Sequence, residues 1–138
     1  MPAISPDGRW LAYVSKPAGR EEIFVRPFPG PGSAVQISSG GGTEPAWSND
    51  GRRIFYRAEQ QMMSADVSFS PTPSVTARRS MFRDTFGGEM PHRNYDVLPG
   101  NRFVMIAAEN TAPEVVIVLN WLPELRTLLA QSESQAPK

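Results

Sequence analysis

Two carboxylates recur in the same local context. Asp7 lies in Ser5-Pro6-Asp7-Gly8-Arg9 and Asp50 in Ser48-Asn49-Asp50-Gly51-Arg52. A pair of carboxylates can share acid and base work in a catalytic site. An identical place in a repeat points instead to turn formation, because Asp accepts local backbone hydrogen bonds and the following Gly tolerates positive φ. His92 is the only histidine, in a loop with Glu89, Arg93 and Asp96 nearby in sequence. A lone histidine without a recognisable second ligand is rarely a metal site; a surface position is expected, with a ligand contact as the functional alternative. A hydrolytic site would have to draw on the loose set Glu44, Glu89, His92 and Asp96. There is no Gly-x-Ser-x-Gly elbow, and one histidine would have to serve every candidate serine.

Other motifs have bland readings beside their sharp ones. Gly40-Gly41-Gly42-Thr43 suggests a phosphate cradle, but no P-loop lysine follows and no helix is expected after it, so a flexible joint between units explains it better. Arg52-Arg53 and Arg78-Arg79 are basic clusters that read as solvated strand faces. Met62-Met63 could be an adaptable contact surface; a packed strand is plainer. No catalytic, cofactor-binding or metal-ligating residue is assigned, and no cofactor is expected.

The elements that position these residues come from a repeat. The segment Ser5–Tyr13 matches Ser48–Tyr56, and Val97–Met105 is a weaker third copy with Leu98-Pro99-Gly100-Asn101 at its turn. Periods of about 40–50 residues belong to blade-type repeats. After each turn comes an apolar strand, Arg9 to Val14 or Arg53 to Arg57. In Trp10–Val14 both alternating faces are apolar, which suits a strand buried between two sheets. A second strand follows at Glu22–Arg26, Gln61–Val67 and Glu114–Leu119. Outer strands are expected near Ala34–Ile37 and Val75–Phe82. Pro27 to Gly32 cannot form a central strand, since proline donates no ladder hydrogen bond. The predicted fold is all-β: a partial β-propeller of about three four-stranded antiparallel blades, 3–38, 43–83 and 93–120. Asn120 as N-cap, Pro123 in the first turn and the spacing of Leu122, Leu125, Leu128 and Leu129 predict a short C-terminal helix over 121–130. The polar stretch 131–138 is expected to be a flexible tail.

Bulk properties narrow the function. The chain has 138 residues, 40% apolar and 20% charged, a globular composition. Fourteen basic side chains balance fourteen acidic ones, so the chain has no long-range pull on a phosphate backbone, and nucleic-acid binding is not expected. The lack of cysteine excludes disulfides, thiolate metal sites and cysteine catalysis. No stretch approaches the roughly 20 apolar residues of a membrane span, so this segment is not expected to insert into a membrane. The N-terminus lacks the basic and apolar regions of a signal peptide, and the repeats are expected to continue an array that begins upstream.

The Ser-x-Asp-Gly-Arg cores at Ser5–Arg9 and Ser48–Arg52 resemble the TolB-type, WD-like propeller repeat. Arg26-Pro27-Phe28-Pro29-Gly30-Pro31-Gly32, Gly40–Ser48 and the ending Val116–Leu125 are similar to the C-terminal propeller of bacterial eukaryotic-like serine/threonine protein kinases. The resemblance covers roughly Ile4 to Leu129. It implies a non-catalytic binding or scaffold module, the sensor or protein-interaction part of a larger bacterial protein such as a kinase. A TolB-like periplasmic scaffold and a fragment of a propeller-associated hydrolase are the alternatives. The nucleotide loop, Val-Ala-Ile-Lys strand, His-Arg-Asp loop and Asp-Phe-Gly of a kinase are absent, so a kinase activity would belong to another domain. The resemblance leans slightly towards an extracytoplasmic location. Three blades cannot close a ring, so remaining blades or a second copy are expected to cover the open blade faces.

Overall fold

In the computed structural model, which describes residues 2–70, 72–86 and 93–106, the regular elements are ten β-strands. β1 (Ala3–Ile4), β2 (Trp10–Ser15), β3 (Glu22–Pro27) and β4 (Val35–Gln36) form one sheet in that order. β5 (Thr43–Trp47), β6 (Arg53–Ala58), β7 (Gln61–Ser68) and β8 (Ser74–Arg83) form a second, also in sequence order. β9 (Tyr95–Leu98) and β10 (Arg102–Met105) pair as a third. All pairings are antiparallel. The chain is therefore all-β, with two four-stranded meanders and a third sheet, an arrangement consistent with a partial propeller-like fold. The described strands belong to the unit Met1–Ala108; the unit Glu109–Lys138 lies outside the described residues.

Strand residues alternate between faces, and the alternation here decides which sheet meets which. From the first sheet, Ala12, Ile23 and Val25 are fully buried, and Ala3, Trp10 and Val14 pack beside them. They meet Trp47, Ile54, Tyr56, Ala65 and Val67 of the second sheet. The other face of the second sheet carries Ala46, Phe55 and Met62, which pack with Tyr95, Val97, Phe103 and Met105 of the third. Met62 and Met63 thus divide between the two sides of one packed strand. Both faces of β6 are apolar because both are covered, as a strand between two sheets requires. Aromatic edges fill the second interface: Phe55 and Phe82 meet Phe103 edge-on, at centroid distances of 5.0 and 5.6 Å.

Polar ties cross the same interfaces. The Trp47 indole Nε1 donates to the Ala3 carbonyl at 3.0 Å, and Arg78 Nε donates to the Ile37 carbonyl at 2.6 Å. Tyr56 is 1% exposed, and its hydroxyl has no hydrogen-bond partner among the described residues. Burial pushes that phenol above its ordinary pKa, with Arg78 opposing and Glu22 adding to the rise.

The outer strands expected near Ala34–Ile37 and Val75–Phe82 are β4 and β8. Pro27 ends β3 opposite Trp10, and the ladder continues through Phe28 N to the Arg9 carbonyl, 2.8 Å. The expected strand Glu114–Leu119, the helix over 121–130 and the tail 131–138 lie outside the described residues, as do Glu89 and His92.

Candidate functional site

The two Ser-x-Asp-Gly-Arg turns are built alike. Ser5 Oγ donates to Asp7 Oδ1 at 2.5 Å and accepts from Trp10 N at 2.9 Å. Ser48 Oγ donates to Asp50 Oδ1 at 2.6 Å and accepts from Arg53 N at 2.9 Å. Each Asp Oδ1 also accepts the backbone N–H of the following arginine, at 3.1 Å in both turns. Gly8 and Gly51 sit at φ 72° and 68°, a conformation that penalises any side chain. The serine is the hub, buried at 5% and 2% exposure, while the aspartates are exposed at the surface. The serine hydrogen bonds hold both carboxyls below the usual carboxylate range, helped by the Arg9 and Arg52 backbone N–H groups. These carboxylates remain ionised and engaged in turn closure.

Between the two turns lies a cleft of about 850 Å³, lined by Asp7, Arg9, Trp10, Asp50, Arg52 and Phe69 among others. Its aromatic part is organised: Trp10 stacks on Phe69 at 4.3 Å with planes 23° apart, and Trp47 lies 5.9 Å from the same ring. Carboxylates and guanidiniums stand at the rim on exposed turn residues. An aromatic floor under a mixed-charge rim suits recognition of an extended segment by stacking and hydrogen bonding.

At the glycine-rich linker a different anion occupies the cradle. Gly41 N donates to Glu22 Oε1 at 3.0 Å, Arg20 Nε to the same oxygen at 3.1 Å, and Ser38 Oγ to Glu22 Oε2. Burial raises the Glu22 carboxyl, but Ser38, Gly41 and Arg20 together outweigh it, and its pKa is lowered. A Cβ on Gly42 would stand 2.7 Å from Ser38 Oγ and 2.9 Å from Ile23 Cγ1. The glycines that read as a flexible joint are thus tied down, with Gly42 N also bonded to the Glu21 carbonyl at 2.9 Å. The backbone donor that a phosphate would use is engaged by the chain's own carboxylate.

The junction of the second and third sheets carries a further polar cluster that has no local signature in the sequence. Arg57 lies 2.6 Å from Asp84 Oδ2 and 3.3 Å from Glu44 Oε1, and its side chain is only 11% exposed. Glu44 Oε2 accepts Asn94 N at 2.9 Å. The Tyr95 hydroxyl donates to the Glu44 carbonyl at 2.6 Å, with the Phe55 carbonyl at 3.2 Å. Glu44 has φ 52°, in the left-handed region, within a break in register between Thr43 and Ala46. That bulge lets both its carbonyl and its carboxylate serve the third sheet. Burial pushes the Tyr95 phenol far above its usual range, so it stays a donor.

The other residues of interest are also engaged. Asp96 pairs with Arg93 at 3.1 Å, while Glu44 pairs with Arg57, so these two members of the loose hydrolytic set serve different arginines. Arg53 and Arg79 both pair with Asp66, Arg53 at 2.6 Å, a cross-strand arrangement on the second sheet. Among the described residues no group of three or more histidines or carboxylates is placed to hold a metal ion. Nor is any described helix long and apolar enough to cross a membrane. Compared with known families and with curated proteins, the chain matches no family model and no curated protein.

Proposed function

We propose that this chain is a non-catalytic binding module, a partial β-propeller serving as the sensor or protein-interaction part of a larger bacterial protein such as a serine/threonine kinase. The observation that carries the reading is the cleft between the repeated turns, where Trp10 and Phe69 stack and each turn contributes both a carboxylate and a guanidinium to the lining. Support also comes from how the carboxylates are used. Asp7 and Asp50 close turns, Glu22 is held by the glycine linker, and Glu44 and Asp84 hold Arg57. Groups spent on structure are poorly suited to shuttle protons. The kinase attachment rests on the sequence resemblance.

The test is a panel of short peptides titrated against the chain while tryptophan emission is followed, alongside assays for hydrolysis of peptide, ester and phosphate substrates. Saturable binding that is lost in Arg9→Ala and Arg52→Ala, with no turnover, is the expected result. Substrate turnover that follows protein concentration through purification would overturn the reading.

A further inference from the structure

The two Ser-x-Asp-Gly-Arg turns adjoin at the cleft. A methyl built on Gly51 would stand 3.6 Å from Pro6 Cδ, an ordinary contact distance. Behind them Phe69 lies between Trp10 and Trp47, with ring centroids 4.3 and 5.9 Å away. The Val67 N–H donates to the Arg52 carbonyl at 2.9 Å, which ties the end of β7 to the second turn. Floor and walls are therefore fixed by both sheets, and a ligand does not have to order them.

The charges of the cleft are laid out twice. Each turn contributes one carboxylate and one guanidinium, Asp7 with Arg9 and Asp50 with Arg52, all on exposed residues. In each aspartate Oδ1 is taken by the serine hydroxyl and by the backbone N–H of the arginine. Among the described residues nothing bonds the second carboxylate oxygen, and neither guanidinium has a hydrogen bond or an ion pair. A ligand that covers these groups must return donors to the carboxylates and acceptors to the guanidiniums.

Two carboxylates against two guanidiniums leave the cleft without net charge. A ligand of one sign is attracted at two of these groups and repelled at the other two, whereas one bearing both signs is attracted at all four. Geometry adds a second condition. Both charges of a turn belong to one wall, so a segment lying in the cleft must present both signs to that wall. Side chains of an extended chain alternate between faces. Strict acid–base alternation sends every acid to one face and every base to the other. Two acids followed by two bases put both signs on each face.

We infer that the cleft takes an extended peptide segment of no net charge that carries acidic and basic side chains on the same face, the acids meeting Arg9 and Arg52 and the bases meeting Asp7 and Asp50. The inference rests on the binding-module reading and names the ligand class of that same cleft. The Trp10–Phe69 floor gives the apolar stems of long charged side chains a surface to lie on. Recognition of this kind sorts partners by charge pattern more than by raw affinity.

The test is calorimetric titration with four peptides of about ten residues, too short for a stable helix alone. One has glutamate and lysine in doublets, one the same residues in strict alternation, one only glutamate and one only lysine. The doublet peptide is expected to bind tightest. The single-sign peptides are expected to bind about tenfold more weakly or worse, because each exposed charge pair is worth little but four act together. The double variant Arg9→Glu/Arg52→Glu is expected to move the preference to the lysine peptide, and Asp7→Asn/Asp50→Asn to the glutamate peptide. Asparagine keeps an oxygen to accept the serine and backbone hydrogen bonds of the turn, and circular dichroism checks that both variants fold. A single-sign or strictly alternating peptide that binds the wild-type chain as tightly as the doublet one, or preferences that do not move in the variants, would overturn the inference and leave the binding-module reading standing. So would a chain that binds none of the four while binding other peptides of the wider panel. A chain that binds no peptide at all would remove both.

Discussion

Tyr13 and Tyr56 hold the same position in successive sheets, yet Tyr56 is 1% exposed while Tyr13 is half-buried. The difference lies in what stands in front of each ring. Tyr56 faces the first sheet, and Tyr13 faces no described element. Their neighbours Leu11 and Ile54 carry the same contrast. Ile54→Ala should cost about 2–5 kcal/mol of unfolding free energy, the range for emptying a closed core site. Leu11→Ala should cost less, with urea midpoints as the measure for both. Equal losses would mean that the two sheets are packed alike on both sides.

Tyr56→Phe deletes a buried hydroxyl that has no partner among the described residues. Removing such a group returns a desolvation cost, so the variant should be as stable as the wild type or more so. A loss above about 1 kcal/mol, the net worth of an ordinary hydrogen bond, would show that the hydroxyl is satisfied.

Ser48→Ala removes the hub of the second turn and leaves Arg53 N and Asp50 without their shared partner. The expected cost is about 1–3 kcal/mol. Gly42→Ala should cost a similar amount for a different reason, since its methyl would collide with Ser38 and Ile23. Thermal and urea unfolding measure both. A neutral Gly42→Ala would mean that the linker can move aside.

Arg57→Ala should be the most damaging polar substitution, because it strands Glu44 and Asp84 at a site where the guanidinium side chain is 11% exposed. Breaking a buried ion pair by removing one partner costs about 3–5 kcal/mol. Tyr95→Phe, which breaks the hydroxyl link to the Glu44 carbonyl, should cost about 1–3 kcal/mol.

Acid should unfold the chain in a definite window. Asp7, Glu22, Asp50 and Asp66 all have pKa values lowered in the folded state. Such groups contribute stability above their unfolded values, near pH 4, and lose it as pH falls through the lowered folded values. Urea midpoints should therefore be flat from neutrality to about pH 5 and fall below it. Asp50→Asn should be less stable at neutral pH and should flatten that decline. Stability that rises on acidification through this range would contradict the assigned partners.

Much of the architecture was legible because its signals are local. Each Asp-Gly marks a turn through two adjacent residues, and the apolar run Ile54–Tyr56 marks a strand covered on both faces. The similar run Trp10–Val14, expected to be buried on both, is packed only on its Ala12 side among the described residues, which leaves Leu11 and Tyr13 half-buried. The serine hub is equally local, but its role depends on burial, which spacing alone does not reveal. The Glu44–Arg57–Asp84–Tyr95 cluster was not legible, because Glu44, Arg57 and Asp84 are distant in sequence and meet only through the pairing of the second sheet, with Tyr95 added from the third. The glycine linker was read as a joint because composition shows conformational freedom and not the carboxylate, Glu22, that removes it.

The account stands on sheets stacked through the Trp47–Ile54–Tyr56 face, and nuclear Overhauser spectroscopy tests this most directly. Cross-peaks are expected from the Trp47 indole N–H to Ala3, and between the Trp10 and Phe69 rings, which connect the first sheet to the second. Spectra in which these aromatic protons meet only partners from their own sheet, or in which Trp47 contacts the Leu11–Tyr13 face, would contradict it.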